Sequence, residues 1–105
     1  MTDSIDITSL KKLLKSPFAP VLLDVRRKSD YVISPKIIGG AVWRDPEMIN
    51  EWSTELSVGR QIIAYCVKGG SVSQSVVERL GQEGHNVAFL EGGIKAWVAS
   101  GEPVE

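Results

Sequence analysis

Residues 62–74 read Ile62-Ile63-Ala64-Tyr65-Cys66-Val67-Lys68-Gly69-Gly70-Ser71-Val72-Ser73-Gln74, passing from an apolar run through a glycine pair into a helical pattern. The run Gln61 to Cys66 shows no alternation of polar and apolar residues, so it reads as a short strand covered on both faces. Gly69-Gly70 admits positive φ and lets a tight loop turn its amides inward. Ser71 followed by Gln74 three residues later fits a capping box with Ser71 as N-cap, and the helix is then expected to begin at Val72. The five residues Val67 to Ser71 arch around the sulfur of Cys66.

Outward from this stretch the same alternation recurs. Val21 to Leu23, Ala41 to Trp43 and Asn86 to Leu90 are further short apolar runs that read as buried strands. Between them lie helical patterns. One begins at Thr8 and places Leu10, Leu13 and Leu14 on one face; a second spans Pro46 to Trp52, with proline at its first turn. A third runs from Val72 to Leu80 and stops near Gly81 or Gly84, and a fourth covers Gly93 to Ser100, closed by Gly101 and Pro103. Strands alternating with helices call for a parallel sheet with helices on its faces, a three-layered α/β fold. In such sheets ligands bind beyond the carboxyl ends of the strands, which is where Cys66 falls.

The bulk properties exclude several classes. A chain of 105 residues with 43% hydrophobic content is expected to form one domain over 1–105. The formal net charge of -1 arises from acidic and basic residues dispersed along the chain, which argues against a nucleic-acid partner. No apolar run approaches the roughly 20 residues that span a bilayer. The start MTDSIDITS lacks the features of a secretory signal, so the expected location is cytoplasmic. One cysteine permits no internal disulfide, and no Cys/His cluster has the spacing of a metal site.

A lone cysteine is most often apolar filler. Here the loop that follows it offers an anion unpaired amides, the positive end of a helix dipole, and the full charge of Lys68. All three favour a thiolate, the form in which sulfur is a nucleophile.

The loop CVKGGS, with LLDVR upstream (Leu22 to Arg26) and FLEGGIKAWVASGEPV downstream (Phe89 to Val104), resembles the rhodanese family. The segment IIGGAVW (Ile37 to Trp43) is similar to the family's lead into its third strand, and the likeness spans about Ile7 to Val104. The resemblance implies a three-layer sandwich with a central, mostly parallel sheet of about five strands. It also implies sulfur transfer, from a small anionic donor such as thiosulfate to a thiol or cyanide acceptor, through a persulfide on Cys66. A sulfur-relay protein is a further partner it admits; no metal or organic cofactor is required. Val67, Lys68, Gly69, Gly70, Ser71 and Val72 match the family's anion cradle, and Asp24 and Arg26 match its D-x-R motif. Two residues apart on one strand, Asp24 and Arg26 point to the same face and are placed to pair beneath the site or merely to cap the strand end. Ser71 stands where many members carry an arginine, which leaves Lys68 as the loop's cation and thiosulfate less firmly gripped. Val72 stands where a small polar residue commonly follows, which allows the cap to lie at Ser73 and the loop to be longer.

Other readings are weaker. Phosphatases of related architecture need C-x5-R, whereas the sixth residue after Cys66 is Val72, and Arg79 lies too deep in the helix to reach the loop. His85 sits in a turn at the opposite edge of the sheet and reads as an exposed surface residue. Trp52 and Trp97 follow apolar residues at helical spacing and read as core, while Trp43 at a strand end is a candidate border of the site. Glu91-Gly92-Gly93 reads as a turn into the last helix. The alternative to an enzyme is a non-catalytic or weakly catalytic regulatory or binding module.

Overall fold

The unbroken apolar runs become strands of one parallel sheet in the computed structural model, which describes residues 3–105. The strands are β1 (Ser4–Ile5), β2 (Val21–Asp24), β3 (Val42–Trp43), β4 (Ile62–Tyr65) and β5 (Val87–Leu90), in the order β1-β5-β4-β2-β3. Leu22 and Leu23 pair with Ile63 and Ala64, which in turn pair with Ala88 and Phe89, so β4 is central.

Side-chain alternation along these strands feeds two separate cores. Ile63, Tyr65, Leu22, Ala88 and Leu90 meet Leu10 of α1 (Ile7–Leu14) and Ile94 and Trp97 of α5 (Gly93–Ala99). Ile62, Ala64, Leu23 and Val87 meet Trp52 of α3 (Ile49–Trp52) and Val76, Val77 and Leu80 of α4 (Ser71–Gln82). Both faces are covered, and for that reason the strands carry no polar stripe. No helix among the described residues is long and apolar enough to cross a membrane.

Several boundaries differ from the sequence reading. Strand β1 and helix α2 (Lys28–Ile33) are additional elements, and α2 buries no side chain. The segment from Pro46 is a 3-10 turn over Pro46–Met48 before the single α-helical turn of α3, with Asp45 capping its start. Helix α1 is capped by Asp6, whose carboxyl accepts the Ser9 backbone N–H at 2.7 Å; that bond holds Asp6 below the usual carboxylate range. The capping box at Ser71 does not form. Helix α4 starts at Ser71 with Gly70 as its N-cap, and no side chain caps it. The Gln74 amide instead donates to the Gly69 carbonyl at 3.0 Å, and Ser73 lies inside the helix, so it is not the cap either.

Candidate active site

Cys66 follows β4 directly, and α4 begins five residues further on. Its side chain is 5% exposed, and its Sγ–H donates to Ser73 Oγ at 3.1 Å. Ser73 is fully buried and its hydroxyl reaches the Gly70 carbonyl at 3.5 Å. A cavity of about 290 Å³ opens at the sulfur, walled on one side by Val67, Lys68, Gly70, Ser71 and Val72 and on the other by Arg26, Arg27 and Asp30. Lys68 and Ser71 are exposed there.

Gly69 is the one loop residue that does not face this cavity, and the reason is steric. It adopts φ +74, and a Cβ on it would sit 2.8 Å from the Gly92 nitrogen and 2.9 Å from the Leu90 carbonyl. Gly93, at φ +61, is its counterpart: a Cβ there would overlap the carbonyls of Cys66 and Val67. This close approach lets Ile94 N–H donate to the Cys66 carbonyl at 2.9 Å and Lys95 N–H to the Val67 carbonyl at 3.0 Å. Helix α5 therefore fixes the first two loop carbonyls, and the backbone N–H groups of Lys68 to Ser73 have no protein acceptor among the described residues. Free amides and a helix N-terminus around one sulfur form a pocket suited to an anion.

Asp24 and Arg26 pair as their spacing predicts, and they lie below the site. Arg26 Nη2 and Nε donate to Asp24 Oδ2 at 2.7 and 2.9 Å, with both side chains buried. The other guanidinium bonds go to the carbonyls of Ser34 at 2.8 Å and Lys36 at 3.0 Å. Burial opposes the charge on Arg26, but the hydrogen bonds and charge of Asp24 outweigh it and hold the guanidinium more firmly protonated than usual. Arg26 thus ties the segment after α2 to the sheet and spends four of its five N–H donors doing so. Trp43 does not border the cavity; its indole N–H donates to the Arg26 carbonyl at 2.9 Å and its ring stacks on Tyr31 at 4.6 Å. His85 is buried, contrary to the surface placement expected: the turn N–H bonds back to the Leu80 carbonyl and folds the ring in beside Val77 and Val87. Trp52 and Trp97 are core, as read.

The Rhodanese family model, described as a rhodanese-like domain, matches residues 6–100. The chain belongs to the rhodanese-like family. A curated sulfurtransferase from Allochromatium vinosum is 30% identical over 105 residues, 99% of this chain and 95% of that one. A solved rhodanese-related protein from Thermoplasma volcanium superposes with a TM-score of 0.85 at 28% identity, covering 98% of this chain and 97% of its own. A thiosulfate sulfurtransferase from Pseudomonas aeruginosa gives a TM-score of 0.82 at 27% identity; it aligns with all of this chain but only 19% of its own. For this rhodanese-like chain, sequence reasoning missed three parts of the site. Ser73 was visible only as a possible cap. Arg27 follows the motif arginine and was overshadowed by it. Gly92-Gly93 reads locally as a turn, and only its distance across the sheet from the loop hid its second role.

Proposed function

We propose that this protein is a sulfurtransferase that carries sulfane sulfur on Cys66. The supporting observation is the buried thiol, paired with Ser73 and ringed by unpartnered amides and Lys68. Cys66 thiolate attacks the outer sulfur of a small anionic donor such as thiosulfate. The donor's S–S bond breaks, its electron pair leaves with sulfite, and Cys66 is left as a persulfide. A thiol or cyanide then attacks the outer persulfide sulfur and restores the thiolate. The donor's sulfane sulfur raises Cys66 to the persulfide level in the first step and the acceptor removes it in the second, so the cycle returns the protein unchanged and no cofactor takes part. Free loop amides stabilise the anionic sulfur in both steps, and Lys68 draws the anion in. Splitting the transfer this way is covalent catalysis with ping-pong kinetics as its signature.

Intact-protein mass after exposure to thiosulfate tests the reading. The expected gain is one sulfur atom, abolished in Cys66→Ala and reversed by cyanide. A folded wild-type protein that gains no sulfur from any sulfane donor would leave a non-catalytic binding module as the function.

A further inference from the structure

Five arginines occur in the chain, and four have their guanidinium groups engaged. Arg26 is bound to Asp24 and two carbonyls, Arg44 to Glu55 at 3.6 Å, Arg60 to the Ala19 carbonyl at 3.0 Å, and Arg79 to Glu83 at 3.1 Å. Arg27 is exposed, and its side chain has no hydrogen bond or ion pair among the described residues. Its backbone, by contrast, is fixed. The Arg27 carbonyl accepts the N–H groups of Asp30 and Tyr31 at 3.0 Å at the start of α2, directly after the braced Arg26. A planar donor fork is thus held on a rigid base with no protein partner.

Its position gives the fork an object. Arg27, Ser71 and Val72 line both the Cys66 cavity and a second cavity of about 370 Å³ that runs along α4 towards Pro46, Ile49 and Arg79. Thiosulfate does not need that second volume. Together the two cavities have the dimensions typical of small organic ligands, roughly 300–1,000 Å³. The second has an apolar wall in Val72, Val76 and Ile49, and its lining includes one carboxylate, Glu47, besides Arg27 and Arg79.

We infer that Arg27 is the specificity-determining residue of a groove continuous with the Cys66 site, which takes an organic persulfide or thiol bearing a carboxylate. The carboxylate meets the Arg27 fork, the carbon skeleton lies on Val72, and the sulfur reaches Cys66. The inference rests on the sulfur-carrier reading above. In the donor direction, Cys66 thiolate attacks the terminal sulfur of R–S–SH. The S–S bond breaks, its electron pair leaves on R–S⁻, and the proton stays on the transferred sulfur, giving Cys66–S–SH. The acceptor direction is the reverse.

The persulfides of N-acetylcysteine and of its carboxamide differ in that one charge, and sulfur loading of Cys66 from each, followed by mass, tests the assignment. Wild type is expected to load from the carboxylate at least tenfold faster. Arg27→Ala is expected to lose about ten- to a hundredfold in kcat/KM on the carboxylate and much less on the carboxamide. Equal rates for both donors in wild type, or an equal loss on both in Arg27→Ala, would overturn it. Binding of S-methyl-N-acetylcysteine, followed at the Ser71 and Val72 amides by NMR, needs no sulfur transfer. Arg27-dependent binding in a protein that never gains sulfur would sink the carrier reading and uphold the groove; binding indifferent to Arg27 would sink the groove alone.

Discussion

Ser73 Oγ, 3.1 Å from Cys66 Sγ, is the one side-chain hydroxyl among the described residues that bonds the thiol, and it has no exposure to solvent. When the sulfur is protonated the hydroxyl accepts from it; when the sulfur is ionised the hydroxyl rotates to donate. A hydrogen bond to a charged group is worth about 1.5–3 kcal/mol, so Ser73→Ala is expected to slow persulfide formation by roughly ten- to a hundredfold. Single-turnover loading from thiosulfate measures this, with urea unfolding as a control for packing. An unchanged rate would mean that the amides alone hold the sulfur. The sequence placed Ser73 in the first turn of α4 but showed nothing of its direction, because a serine's hydroxyl at such a position serves equally as a cap. Asp24 and Arg26 were legible for the opposite reason. Two-residue spacing on a strand fixes a shared face whatever surrounds it.

Elements with a continuous apolar run, such as β4 and β5, were legible because burial on both faces leaves only that signature. Elements without buried residues were not. KSDYVI in α2 has no apolar stripe, and β1 is two residues long, so its pairing with β5 rather than its composition makes it a strand. The junction of the Cys66 loop with α5 was also illegible, since residues 69 and 93 meet only after the sheet has formed. Its importance can be measured. Gly93→Ala forces a Cβ at φ +61 against the carbonyls of Cys66 and Val67. The left-handed backbone costs about 1–2 kcal/mol and the overlap roughly 1–3 more. The variant is expected to unfold at lower urea by that sum and, where folded, to load sulfur on Cys66 more slowly, because the loop carbonyls lose Ile94 and Lys95. Gly59→Ala, at a positive-φ position with open space around it, pays the backbone cost without the overlap and should load sulfur at the wild-type rate. Equal loading by both variants would show that α5 does not shape the loop.

Across the whole molecule, two cores hold the sheet from opposite sides, and the polar ties that join the sheet to the excursion between β2 and β3 gather beneath the site. Arg26 bonds the carbonyls of Ser34 and Lys36, and Tyr65 Oη accepts the Ile38 N–H at 3.1 Å. Tyr65 is fully buried; that burial, reinforced by the nearby charge of Asp24, pushes its hydroxyl well above the usual 10.0. The neutral phenol is therefore favoured in the native state. Its contribution is fully present below pH 10 and declines as pH rises above it, because the unfolded chain ionises first. Tyr65→Phe leaves the Ile38 N–H unpaired at a cost of about 1–3 kcal/mol near neutrality. The variant has no phenol at this position to titrate, so the gap between the two proteins should narrow by about 1.4 kcal/mol by pH 11, one unit above the ordinary value. Urea midpoints of both proteins at pH 8, 10 and 11 provide the comparison. A gap that stays constant with pH would mean that Tyr65 reaches water in the native state.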